Sequence, residues 1–220
     1  MKVCIVDTKA ANFNSVVQAL RRLGVDATIT SDVKVLREAD RLIMPGVGTA
    51  SAVMAGLLGT TSDQIPALCG DDREARSELT DFIVHYERPL LGICLGMQVQ
   101  AAASAEVPLN EPVKCINTLG IVPGVVRLID VSAEKLPLPH MGWNTVVHND
   151  HPLFKGIEQE SSFYFVHSFC LGVSDCTIAR SEYGQEFSAA ICRDNFMGVQ
   201  FHPEKSGANG ARLLQNFLEL

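Results

Sequence analysis

The chain has 220 residues, 47% of them hydrophobic and 20% charged, and a formal net charge of −7. That length and balance suit one compact domain with a substantial core and exclude a disordered or fibrous chain. The acidic balance, with 18 Lys and Arg scattered along the sequence, argues against a protein that grips nucleic-acid phosphates.

The opening MKVCIVDTKA contains an apolar run too short for a signal-peptide core or a membrane span, and no later run approaches about eighteen residues, so a cytoplasmic location is expected. The 7 cysteines form no CxxC pair, and Cys4, Cys94 and Cys192 sit inside apolar runs, which predicts reduced, mostly buried thiols. Residues 2–7 read as a first buried strand. The segment NSVVQALRRLG follows with Val16, Val17, Leu20 and Leu23 on one helical face and Gly24 placed to close it. Residues 39–45 and 89–94 read as further buried strands. Strand and helix therefore alternate, which predicts a parallel sheet covered on both faces. Between them, residues 59–73 lack periodicity and are expected to form a surface excursion rather than a linker.

From about residue 111 the texture becomes β-rich, in pieces separated by Pro, Gly and Asn. A last apolar strand is predicted over 197–202, and a closing helix follows, carrying Leu213, Leu214, Phe217 and Leu218. The whole reads as one α/β domain over residues 1–220, with a mixed sheet and a β-rich second half.

Three segments carry chemistry. In RPLLGICLGMQ a strand runs into Gly92, Ile93, Cys94, Leu95 and Gly96, a GxCxG sequence in which a sharp strand-to-helix turn lifts a nucleophile and glycines let the backbone crowd. A cysteine in an apolar run is ordinarily a small core residue. The paired glycines weigh against that here, and a helix N-terminus aimed at the sulfur is expected to favour the thiolate. In GVQFHPEKS a strand delivers His202, and Glu204 lies two residues on, the spacing at which extended residues point the same way. Glu204 is expected to reach the far nitrogen of the imidazole and orient it while the near nitrogen faces the thiol, giving Cys94, His202 and Glu204 in the roles of nucleophile, base and orienter. After the strand RLIM, Pro45, Gly46, Val47 and Gly48 form a loop able to turn a backbone N–H toward an oxyanion, with the amide of Leu95 as second donor. This loop is not a dinucleotide fingerprint, because Ser51 stands where its third glycine belongs. His148 and His151 in a turn lack the further ligands a zinc site needs, so neither metal nor cofactor is expected.

PGVG, GICLGMQ, LGIVPG, PHMGWN, YFVHS and GVQFHPEKS, in this order, resemble the class I glutamine amidotransferases, and PHMGWN with YFVHS resembles in particular their imidazole glycerol phosphate synthase glutaminases. The resemblance covers nearly the whole chain. It implies a flavodoxin-like three-layer fold, hydrolysis of L-glutamine through a thioester on Cys94 and delivery of ammonia to a (β/α)8-barrel cyclase in a heterodimer, as a step of histidine biosynthesis. It also implies an oxyanion site around Val47, Gly48 and Leu95, a glutamine site at Gly46, Gly48, Gln98, His167 and Ser168, and a docking face near Asn12, Met141, Trp143, Tyr164 and Lys205. A glutaminase serving another acceptor, or a silent module of the same fold, is the alternative. Where these proteins usually carry a tyrosine and glycines after the first aspartate, this chain reads Thr8, Lys9, Ala10, Ala11 and Asn12.

Overall fold

The computed structural model describes residues 1–70, 75–107 and 113–220. In chain order its first half comprises β1 (Val3–Val6), α1 (Phe13–Arg22), β2 (Ala27–Thr30), α2 (Val33–Leu36), β3 (Arg41–Gly46), α3 (Ala50–Leu58), α4 (Ile65–Cys69), α5 (Glu78–Val84), β4 (Leu90–Cys94) and α6 (Leu95–Gln98). The second half comprises β5 (Ala103–Ser104), β6 (Ile116–Asn117), β7 (Val125–Leu128), β8 (His140–His148), β9 (Ser161–His167), β10 (Phe169–Cys170), β11 (Thr177–Tyr183), β12 (Gln185–Arg193), β13 (Phe196–Val199) and α7 (Gly207–Glu219).

The main sheet runs β2-β1-β3-β4-β13-β12-β11-β8-β9, parallel from β2 to β13 and antiparallel beyond. Its parallel part follows the flavodoxin-like order. β1, β4 and β13 are buried at every position, as expected of strands covered on both faces. α1 buries Val16, Ala19 and Leu20, and the chain leaves it through Gly24 at φ 77°, a left-handed value that glycine adopts without strain. α7 buries Leu213, Leu214, Phe217 and Leu218, the four positions its spacing predicts. A second sheet, β10-β7-β5-β6, is built from the β-rich region, and His167, Ser168 and Phe169 link it to β9 of the first.

Two expectations need correction. Residues 59–73 are not simply a surface excursion: α4 buries Ile65, Pro66 and Cys69 against the core, and residues 71–73 of that stretch lie outside the described residues. The last strand is shorter than 197–202. β13 ends at Val199, after which Gln200 N–H still pairs with Ala189 O, but His202 N–H donates to Tyr164 O. The chain thus transfers from the β4 side to β9, at the level where Cys94 ends β4.

Candidate active site

Register brings the site together. Gly46 lies opposite Cys94 in the β3–β4 ladder and Val199 opposite Ile93 in the β13–β4 ladder, so the ends of three neighbouring parallel strands converge. Ligands of open α/β sheets bind at such a carboxyl edge.

Cys94 ends β4 at φ 54° and ψ −113°, backbone values that cost a side-chain-bearing residue about 1–3 kcal/mol. The flanking glycines keep it there. A Cβ on Gly96 would stand 1.7 Å from Met44 O, and one on Gly92 would stand 2.4 Å from Gly96 O and 2.3 Å from Gln100 Nε2. The turn is therefore wedged against β3, and the sulfur faces outward from it. The thiol donates to Val166 O at 3.8 Å and accepts from Gln200 Nε2 at 3.7 Å. The helix that follows begins at Leu95, as expected, but lasts only to Gln98, because the next residues are drawn into the second sheet: Ala102 N–H donates to Gly124 O and Thr118 N–H to Ala102 O. One turn supplies little macrodipole, so side chains must provide most of the field at the sulfur.

His202 is buried, and its Nδ1 lies 2.8 Å from Glu204 Oε1. The pair forms by a route other than strand alternation. Pro203–Lys205 is a single 3-10 turn, and it folds the Glu204 carboxylate back onto the ring. Burial opposes charge on His202, but the Cys94 sulfur and the Glu204 carboxylate outweigh it and push the imidazole up to about 10. With Nδ1 committed, Nε2 is the nitrogen left for a reacting thiol.

These groups open on a cavity of ≈ 320 Å³, within the range of small-molecule sites. Of the residues singled out in the sequence, Val47, Gly48, Cys94, Leu95, Gln98, His167, Ser168, His202 and Lys205 line it. Gly46 does not. It is packed beneath, where a Cβ would stand 2.7 Å from Leu95 Cβ, so it permits the close approach of β3 and contributes no wall. A wider groove of ≈ 870 Å³, lined by Arg37, Phe82, His85 and Arg88 among others, shares no residue with the site.

The loop after β3 is turned away from the role expected of it. Val47 N–H donates to Ala10 O at 2.7 Å, so this donor is engaged by the first loop. Gly48 has φ 92° with open space where a Cβ would stand, so its requirement is conformational. Gln98 is buried, its Nε2 donating to Phe169 O at 2.8 Å and to Gln200 Oε1 at 2.9 Å. His167 and His140 form a buried chain. His167 Nδ1 donates to Phe169 O at 2.9 Å, and His140 Nδ1 donates to His167 Nε2 at 2.9 Å. Burial holds both neutral, pushing His167 down to about 3 and His140 down to about 4.

The residues expected near a docking face also come together. Met141 and Trp143 are 63% and 58% exposed, Trp143 pairs with Tyr164 across β8 and β9, and Lys205 Nζ lies 6.0 Å over the Tyr164 ring. Asn12 is exposed at the start of α1, which packs against the turn carrying Lys205.

The chain matches the family model described as glutamine amidotransferase class-I over residues 4–220. It belongs to the class I glutamine amidotransferase family. The imidazole glycerol phosphate synthase subunit HisH of Vibrio cholerae is 50% identical over 221 residues, covering 99% of this chain and 98% of its own. The subunit of the same name from Photorhabdus laumondii is 46% identical and covered in full, as is this chain. Among solved structures, one described as a glutamine amidotransferase superposes with TM-score 0.68 at 17% identity over 100% of this chain and 98% of its own, and PurLQS from Thermotoga maritima with TM-score 0.67 at 19% identity over 99% and 97%. At those identities the structures speak for the fold.

Within this amidotransferase fold, sequence reasoning passed over two residues at the site. Glu106 lines the cavity and accepts from Ala50 N–H at 2.7 Å, and burial pushes its carboxyl up. It stands in the sequence among small and apolar residues with no motif around it. Gln200 sits inside the GVQFHPEKS segment, two residues before the base, and that proximity is the one available signal.

Proposed function

We propose that this amidotransferase hydrolyses L-glutamine to L-glutamate and ammonia through a cysteine thioester, as the glutaminase subunit of imidazole glycerol phosphate synthase in histidine biosynthesis. The observation that carries the chemistry is Cys94 at positive φ on a glycine-clamped turn, sharing one cavity with His202, whose Nδ1 is held from behind by Glu204. The choice of acceptor rests on the full-length likeness to subunits of that synthase.

In this reading the thiol proton already resides on His202, and the Cys94 thiolate attacks the carboxamide carbon of glutamine. The Leu95 N–H and a donor from the Val47–Gly48 loop stabilise the oxyanion, and His202 returns its proton to the departing ammonia. Water then attacks the thioester with His202 as base, releasing glutamate and restoring the thiol. Glu204 keeps the imidazole oriented and stabilises its charged form. Gln98, His167 and Ser168 shape the glutamine site, and the Glu106 carboxylate suits the substrate ammonium. Hydrolysis by this route requires no metal and no redox cofactor.

The Val47 N–H bound to Ala10 O supports a gated enzyme. The free subunit is held at low glutaminase activity until the loop releases that contact and turns a donor inward. Docking on a (β/α)8-barrel cyclase as a heterodimer, through the face of Met141, Trp143, Tyr164 and Lys205, supplies the release, and ammonia passes to the cyclase without meeting bulk water, where it would be protonated. A single domain over residues 1–220 in the cytoplasm suffices; among the described residues no helix is long and apolar enough to cross a membrane.

The test is a glutaminase and synthase assay with and without cyclase. Cys94→Ala abolishes synthesis from glutamine while synthesis from ammonium salts continues. Loss of both, or full glutaminase rate in the free subunit, counts against the assignment and the gate respectively.

A further inference from the structure

Gln200 is fully buried, and both ends of its side-chain amide are engaged, one by Gln98 and the other by the Cys94 sulfur. The polarity of its amide is set from a distance. Phe169 O can only accept, so the Gln98 atom 2.8 Å from it is the amide nitrogen. That nitrogen's second hydrogen goes to Gln200, 2.9 Å away, so the Gln200 atom there is the oxygen. The remaining end of Gln200 is then its NH2, and it lies 3.7 Å from Cys94 Sγ. The same logic leaves Gln98 Oε1 buried without a partner among the described residues, on a side chain that lines the cavity.

A carbonyl thus polarises two amides in series, aiming an N–H at the sulfur. An N–H donor is held more strongly by a thiolate than by a neutral thiol, because hydrogen bonds to charged groups are the stronger kind. With only one turn of helix behind the elbow, this donor matters more than it would at the end of a long helix.

We propose that Gln200 is a further catalytic residue, whose side-chain N–H holds the Cys94 sulfur as a thiolate, with Gln98 and Phe169 O as the positioning groups that set its direction. Its place in glutamine hydrolysis rests on the function proposed above, but its effect on the sulfur does not. The test is therefore iodoacetamide labelling of Cys94 in the full chain between pH 5 and 9, read by mass spectrometry on the peptide carrying that residue. In Gln200→Met, the labelling rate at pH 7 falls about tenfold and the pH–rate profile moves alkaline by about one unit, the size of one charge-assisted bond. In Gln200→Glu, an acceptor replaces the donor and the profile moves at least as far. A folded variant of either kind that labels with the wild-type profile overturns the proposal. Should neither fold, the wild type still decides. The side-chain amide proton of Gln200, followed by NMR, moves downfield as Cys94 deprotonates and shows no such response in Cys94→Ala; an amide silent to that titration overturns the proposal. A wild-type chain unable to hydrolyse glutamine beside a cyclase defeats the functional assignment alone, since alkylation requires no glutamine.

Discussion

At the scale of single residues, the elbow separates two reasons for glycine. Gly96 is required by contact, since any Cβ there meets the Met44 carbonyl at 1.7 Å, whereas Gly48 has open space and is required by its φ of 92°. Gly96→Ala is therefore expected to force β3 from α6, costing about 3 kcal/mol or more in urea unfolding together with glutamine-dependent activity. Gly48→Ala costs about 1–3 kcal/mol from backbone strain alone. If equal losses are measured, the contact argument is wrong. The histidines make a second prediction. His140 and His167 are held neutral by burial, at about 4 and about 3, so below an unfolded value near 6.5 the unfolded chain binds more protons. Stability then falls as pH drops from about 6.5 and levels off near 3. His202 has the opposite sign: its contribution is complete below about 6.5 and is lost as pH rises through about 10. Melting followed from pH 7 to 4 should show a shallower acid slope in His140→Gln than in wild type, by on the order of 2 kcal/mol once solvent screening is allowed for. An unchanged slope means the imidazole is not neutral.

At the scale of elements, what could be read in the sequence was what periodicity and glycine spacing encode. Buried parallel strands show as continuous apolar runs, and the turn at Cys94 shows because two glycines must flank it. α4 did not show, since five residues span little more than one helical turn and Ile65 and Cys69 become core only when α3 packs on it. The His202–Glu204 contact was anticipated for a reason the structure replaces, a 3-10 turn instead of an extended pair. Gln98 and Gln200 stand beside the motifs, but what their amides do is set over distance, because their partners lie about 70 and 100 residues away, at Phe169 and at each other. Long-range amide bonds of this kind also hold the closing helix. Asn216 in α7 is buried and donates to Leu153 O at 3.0 Å and Lys155 O at 2.8 Å, tying α7 to the turn between β8 and β9. Asn216→Leu leaves two carbonyls without that donor and is expected to cost about 2–4 kcal/mol in denaturant unfolding. Because Asn216 lies outside the cavity, kcat and KM for glutamine should stay within twofold of wild type. A variant that unfolds as easily as wild type shows that α7 is held by its apolar face alone.

At the scale of the whole molecule, the hairpin of β8 and β9 belongs to two surfaces at once. Along β9, Phe163, Phe165 and His167 face the core, while Tyr164 lies beside exposed Trp143 and feels Lys205 over its ring. The same strand supplies Val166 O to the Cys94 thiol and accepts the His202 N–H at Tyr164 O. If the cyclase docks on Trp143 and Tyr164 as proposed, it bears on the backbone that frames sulfur and imidazole, which would give docking a direct path to the chemistry. Trp143 is the chain's one tryptophan, and its 58% exposure leaves it little part in the core. An exposed aromatic of this kind acts as an anchor in complexes. Trp143→Ala is thus expected to weaken cyclase binding by about 2–4 kcal/mol in calorimetry. Unfolding free energy of the isolated subunit should change by no more than about 0.5 kcal/mol. Its Cys94 alkylation profile should match wild type, since the sulfur's own contacts are untouched. Loss of stability without loss of affinity would instead mark Trp143 as a packing residue and place the docking face elsewhere on the sheet.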